Sequence, residues 1–159
     1  MATIDNNLSD YDASKVPNGK DFKMAILIAE WNSEITSALA KGACDTLVKH
    51  GVNLKNIDIK YVPGTYELPL GAQFCLEDKN YDAVICVGSV IRGETEHFTF
   101  VCEAAAQGIK DVGLNYNKPV IFCVLTDNNI EQSRARSGGK HGNKGDEAAI
   151  TALKMADFR

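Results

Sequence analysis

Four short apolar runs constrain this chain more than any other feature. Residues 24–29, 57–62, 83–87 and 120–125 are each of strand length and rich in β-branched side chains. The stretches between them carry a helical period. Ser33 is placed to cap a helix whose Ile35, Leu39, Gly42, Ala43 and Leu47 share one face, and Gly51 supplies its stop. A second helix is expected from about Glu67 through Phe74 and Leu76, because Pro69 is tolerated only in a first turn. A third is expected from about Glu96 to Ile109. Asn128 with Glu131 three residues on resembles a capping box at the head of a fourth. Gly138 and Gly139 interrupt that helix, and the pattern resumes over 146–158 with Ile150 and Leu153 on one face. Connections of this length permit right-handed crossovers, so the expected fold is α/β: a four-stranded parallel sheet with helices on both faces.

A chain of 159 residues suits one domain, long enough to bury roughly 68–70% of the surface its unfolded form exposes. Residues 1–21 are polar and contain Asn6, Asn7, Pro17, Asn18 and Gly19. They are expected to form a flexible or extended N-terminal arm ahead of a domain spanning 22–159. The net charge of −4 gives no general attraction to nucleic acid or to an anionic membrane. Cys44, Cys75, Cys86, Cys102 and Cys123 are odd in number, show no C-x-x-C spacing and lie in apolar patterns, which fits small buried hydrophobes in a reducing compartment. The start, MATID, lacks a basic segment leading into an apolar run, and nowhere do about 18 apolar residues stand together. A soluble, cytoplasmic protein is the expectation.

Parallel strands deliver all four of their following loops to one edge of the sheet, where open α/β folds bind ligands. Those loops carry Trp31 and Asn32; Pro63, Gly64, Thr65, Tyr66 and Glu67; Ser89 through His97; and Thr126 with Asp127. The third is the richest. Residues 88–101, GSVIRGETEHFTFV, lead from a strand into a helix, whose first N–H groups have no intrahelical partners and favour an anion. At this ligand edge His97 is the candidate proton carrier beside the anion. Trp31 either packs in the core or stacks on a flat ring. Glu67 either serves the helix dipole or accepts hydrogen bonds from a ring amide. His50 and His141 suit a helix end and a solvated glycine-rich loop. Arg134, Arg136, Lys140 and Lys144 surround Gly138, Gly139 and Gly142, either as a solvated helix end or with one arginine gripping a phosphate. The phosphate-loop and dinucleotide glycine signatures both fail here, and no metal motif occurs.

Three segments in this order, VPGTYELP at 62–69, GSVIRGETEHFTFV at 88–101 and ARSGGKHGNKG at 135–145, resemble the 6,7-dimethyl-8-ribityllumazine synthase family, and the resemblance covers nearly everything after Phe22. It implies a three-layer fold similar to flavodoxin and an enzyme that condenses 5-amino-6-(D-ribitylamino)uracil with 3,4-dihydroxy-2-butanone 4-phosphate, with no metal or organic cofactor. Carried over by position, His97 is the acid/base; Trp31 stacks on the ring; and Thr65, Tyr66, Glu67, Ser89, Val90, Ile91 and Phe122 contact the pyrimidine substrate. Glu94, Thr95, Arg136 and Lys144 hold the butanone phosphate. The family often has phenylalanine where Trp31 stands, and threonine or alanine where Ser89 stands; both changes keep the chemical role. The resemblance further implies a homo-oligomer, a pentamer with sites between neighbouring subunits. The short loop around Gly138 to Asn143 points to an icosahedral shell of 60 chains, and riboflavin synthase is a candidate partner. Two other classes fit the same residues: a flavodoxin-like module that binds a flavin or nucleotide at this edge without turnover, and a scaffold protein that retains the assembly alone.

Overall fold

The computed structural model describes residues 7–159. Strands β1 (Met24–Ala29), β2 (Ile57–Val62), β3 (Ala83–Ile91) and β4 (Val120–Asp127) form one parallel sheet in the order β2-β1-β3-β4. Helices α1 (Ser33–Lys49), α2 (Leu68–Asp78), α3 (His97–Tyr116), α4 (Ile130–Arg136) and α5 (Lys144–Phe158) connect and cover it. The central strand β1 is buried along its whole length, as expected where helices cover both faces of a parallel sheet. Side chains alternate between the faces. Met24, Ile26, Ile28, Ile85 and Cys123 meet Leu39 and Leu47 of α1 and Leu153 of α5 on one side. Ala25, Leu27, Val84, Cys86 and Val124 meet Leu68 and Cys75 of α2 and Ile109 of α3 on the other. Burying each of the larger of these side chains contributes about 1.5–3 kcal/mol, so the two layers dominate the favourable side of folding. The α/β, flavodoxin-like arrangement expected from the sequence is therefore the one observed.

Several local expectations need correction. Strand β3 does not stop at Val87 but runs on to Ile91, because β4 offers a ladder beside it, from Gly88 opposite Val124 to Ile91 opposite Asp127. Gly88 is required inside that strand: a Cβ there would lie 2.8 Å from Thr65 Oγ1 and 3.0 Å from Leu68 Cδ1. Helix α1 is preceded by Asn32 in the left-handed region (φ 59°, ψ 46°), and no side chain caps it, so Ser33 is its first residue rather than its cap. The cap of α4 is Asn129, whose side chain accepts from the Gln132 N–H, one position later than expected. Helix α3 begins at His97 and continues to Tyr116, well past Ile109. A 3-10 turn, Thr65–Glu67, precedes α2, which starts at Leu68. The interruption at Gly138 and Gly139 is a small antiparallel pair, β5 (Ser137–Gly139) and β6 (Gly142–Asn143), with Gly138 and Gly142 at positive φ.

Of the segment 1–21, residues 1–6 lie outside the described residues. Beyond them, the Leu8 N–H donates to the His141 carbonyl at 2.8 Å and the Asn143 N–H donates to Ser9 Oγ at 2.9 Å. Tyr11 Oη lies 3.1 Å from His50 Nε2 and accepts from Lys49 Nζ at 3.1 Å, so His50 is half-buried under the segment. Among the described residues no helix is long and apolar enough to cross a membrane.

Candidate functional site

At the carboxyl edge of the sheet the first three loops and the end of β3 enclose a cleft of about 610 Å³, within the range usual for small-molecule sites. Trp31 and Asn32 form one wall, Gly64, Thr65, Tyr66 and Glu67 a second, and Ser89, Val90 and Ile91 the floor. Gly93, Thr95, His97, Phe98 and Val101 close the far side. A second hollow of about 440 Å³ lies between α1 and the β5–β6 hairpin; its lining of Lys41, Asp45, Thr46, Lys49, Asp146 and neighbours contains no aromatic ring and no histidine.

Backbone bonds hold the walls. The Glu30 N–H donates to the Val62 carbonyl at 2.9 Å and the Trp31 N–H to the Pro63 carbonyl at 3.3 Å, so the Trp31 loop is tied to the loop that carries Glu67. Asparagine tolerates the left-handed conformation better than most residues, and at position 32 it turns the chain outward after β1. Its Nδ2 then donates to the Ser89 carbonyl at 2.9 Å, which joins the first wall to the floor. Trp31 is 73% exposed, so the core-packing alternative does not hold: its ring faces open space above the cleft. Glu67 is exposed at the end of the 3-10 turn, directly before α2. Ser89 is only 1% exposed, yet its hydroxyl has no hydrogen-bond partner among the described residues. A buried hydroxyl without a partner is uncommon in folded proteins; Thr36 Oγ1, outside the cleft, is in the same state.

His97 opens α3, and its N–H leans on Thr95 Oγ1 at 3.4 Å. Its ring is exposed and has no partner among the described residues. Arg92, a residue the sequence patterns did not single out, braces this corner. Its guanidinium lies 4.2 Å from the centre of the Phe98 ring, its Nε donates to Asn128 Oδ1 at 3.1 Å, and its N–H donates to the Asp127 carbonyl at 2.9 Å. Asn32, Gly64, Gly93, Phe98 and Val101 also line the cleft without having been assigned contacts from the sequence. A visible signal existed for Asn32 alone: a left-handed-tolerant residue directly after a strand.

The cleft therefore gathers Trp31, Thr65, Tyr66, Glu67, Ser89, Val90, Ile91, Thr95 and His97, and leaves four candidates outside its lining. Glu94 is exposed in the loop beside it. Phe122 sits on the edge strand β4, 36% exposed, on the face that α2 and α3 cover. Arg136 ends α4, where its Nη1 donates to the Gln132 carbonyl at 3.0 Å. Lys144 begins α5 and pairs with Glu147 at 3.0 Å. Within the basic cluster, Arg134 is committed elsewhere: its Nε and Nη2 take both oxygens of Glu34 at 2.8 and 3.1 Å, and the guanidinium holds that carboxyl below its ordinary range. The fully buried thiols are no candidates for chemistry, since burial pushes Cys123 up to about 12 and raises Cys86 as well.

The sequence profile described as 6,7-dimethyl-8-ribityllumazine synthase matches residues 21–159. The chain is similar along its whole length to proteins of that name from several bacteria. It is 56% identical to the one from Christiangramia forsetii, over all of this chain and 95% of the relative. To the one from Flavobacterium johnsoniae it is 54% identical, over all of this chain and 84% of the relative. To the one from Parabacteroides distasonis it is 51% identical, over 99% of each.

Proposed function

The chain belongs to the 6,7-dimethyl-8-ribityllumazine synthase family, a transferase of riboflavin biosynthesis, and we propose that the cleft between Trp31 and His97 is the place where it works. The enzyme condenses 5-amino-6-(D-ribitylamino)uracil with 3,4-dihydroxy-2-butanone 4-phosphate to 6,7-dimethyl-8-(D-ribityl)lumazine, with release of phosphate and water. The observation that carries the site assignment is the convergence, in one cleft, of an exposed indole, an exposed carboxylate, an unpartnered buried hydroxyl and an unpartnered imidazole.

In this reading the flat pyrimidine stacks on Trp31, and Glu67 accepts hydrogen bonds from its ring amide. Thr65, Tyr66, Ser89, Val90 and Ile91 complete the pocket, with the Ser89 hydroxyl, which no group of the chain meets, bonding to the substrate. The substrate amine adds to the ketone of the butanone, the carbinolamine loses water to give an imine, phosphate leaves, and a second amine closes the ring with loss of water. His97 moves protons during these steps from a position within reach of the cleft. Holding two substrates in one orientation supplies much of the acceleration. Thr95 and Glu94 hold the phosphate, with Arg136 as its clamp and Lys144 near it.

Because Phe122 and Arg136 lie outside the cleft of one chain, the reading is completed by a neighbouring copy that brings Phe122 as an aromatic wall, in a pentamer. Pentamers then assemble into an icosahedral shell of 60 chains, with riboflavin synthase as a partner and the cytoplasm as the location. A light-scattering mass equal to one pentamer would overturn the shell.

Incubating the pure chain with both substrates and following lumazine fluorescence tests the site through its variants. Arg136→Ala is expected to raise KM for the butanone phosphate much more than KM for the pyrimidine. Equal effects on both would remove Arg136 from the clamp.

A further inference from the structure

Among the described residues Asp127, at 7% exposed, is the only carboxylate that is buried. A charge removed from water is costly unless it is met by partners. Asp127 has two. Ser133, itself fully buried, donates its hydroxyl to Asp127 Oδ2 at 2.8 Å. Arg136 Nη1 lies 3.9 Å from Asp127 Oδ1. The second contact is too long for a hydrogen bond, so its attraction is between whole charges.

The geometry on the arginine is one-sided. Nη1 makes both of its contacts, to Asp127 and to the Gln132 carbonyl at 3.0 Å. Nε and Nη2 have no partner among the described residues. Those two nitrogens form the edge of the guanidinium that takes an oxyanion side-on through two parallel hydrogen bonds. The carboxylate thus holds the group while its useful edge stays open. Asp127 is also fixed by the sheet. It pairs with Ile91 at the end of the β3–β4 ladder, and its carbonyl accepts from the Arg92 N–H.

We infer that Asp127 is a positioning residue that aims the open edge of Arg136 at the phosphate of the butanone substrate, with Ser133 fixing the carboxylate. This rests on Arg136 being the phosphate clamp. Asp127 itself touches no substrate; it acts through the arginine.

Steady-state kinetics with each substrate varied in turn decide the matter, using the assembled full-length enzyme. Asp127→Asn keeps the shape and removes the charge, and is expected to raise KM for the butanone phosphate about fivefold while KM for the pyrimidine stays within about twofold. Ser133→Ala is expected to shift the same constant in the same direction by less. In an Arg136→Ala background, Asp127→Asn is expected to add almost nothing, because the residue it aims is gone. If Arg136→Ala raises KM for the butanone phosphate but Asp127→Asn leaves it unchanged or lowers it, the positioning role is wrong. If Arg136→Ala itself leaves that constant unchanged, the clamp reading fails first, and the two failures are distinguishable. Should Asp127→Asn not fold, Ser133→Ala alone carries the test, and an unchanged KM there overturns the inference.

Discussion

The two edges of the sheet are built on opposite terms. At the amino edge the polar groups have partners. Asp58, at the start of β2, accepts from Lys79 Nζ at 2.8 Å and from the Tyr81 hydroxyl at 2.6 Å, and Tyr81 is almost wholly buried. Beside it the Lys23 N–H donates to Asp82 Oδ2 at 2.7 Å while the Asp82 N–H donates to the Lys23 carbonyl at 2.8 Å. At the carboxyl edge, by contrast, an indole stands in the open, an imidazole has no partner, and a buried hydroxyl is unmet. Beside bonded pairs such as Arg92 with Asn128 and Ser133 with Asp127, the carboxyl edge keeps these three groups unmet, where a ligand can supply their partners. The groups that can do chemistry therefore stand where the strands end.

Four substitutions test that contrast, in descending order of expected effect. Tyr81→Ala removes a buried ring and the hydroxyl that serves Asp58, and is expected to cost about 3 kcal/mol of folding stability while leaving KM for both substrates near the parent values; chemical denaturation and kinetics measure the two separately. An equally large loss of activity in protein that stays folded would erase the distinction between the edges. His97→Asn does the reverse: kcat is expected to fall about a hundredfold with the denaturation midpoint unchanged, and undiminished turnover would take His97 out of the mechanism. Trp31→Ala, at an exposed position, is expected to raise KM for the pyrimidine about tenfold, by the worth of one ring stack, and to leave KM for the butanone phosphate alone.

The smallest effect is an acid-limb change at the amino edge. Hydrogen bonds from Lys79 and then Tyr81 lower the Asp58 carboxyl below its ordinary 3.8. The unfolded chain therefore binds a proton there more readily than the folded one. The stabilisation is fully present above that ordinary value and is lost as pH falls through the lower, folded one. Because Asp58 is partly exposed, the effect is expected to be under about 1 kcal/mol. Asp58→Asn should flatten this part of the acid limb below about pH 4 in a pH series of denaturation curves.

Much of this layout was legible in the residues, for identifiable reasons. The four strands were visible because each is a short β-branched run, and the parallel sheet followed from the length of the connections. The end of β3 was not visible, because Gly88 and Ser89 read as punctuation in one dimension; only the neighbouring β4 ladder makes them strand. The start of α1 differs from what its sequence suggests because a serine is a common cap, whereas here a left-handed asparagine turns the chain one residue earlier. For the site, loop order alone brought Trp31, Glu67, Thr95 and His97 to one edge. It did not reveal that Phe122 lies on an edge strand and Arg136 at a helix end outside the cleft, since those placements depend on tertiary packing. Nothing in the sequence marks Arg92, because its stacking on Phe98 joins residues six apart across a loop whose path no sequence period encodes.

The strands differ in length, and that difference has a further consequence. The last pair between β3 and β1 is Val87 with Ile28, and β1 ends one residue later at Ala29, so β3 continues three residues past its neighbour, about 10 Å at the usual rise. The sheet ends in a step, and the cleft lies on its tread. Its depth is measured by backbone, like a ruler, and not by the bulk of any one side chain. Substitutions along the walls would change how firmly a ligand is gripped but not how far it reaches. To admit a ligand longer by one ring, the chain would have to move the end of a strand, which changes every hydrogen bond of the ladder beyond that point. Selection for new substrates on this scaffold should therefore alter the rim of the cleft long before it alters the floor.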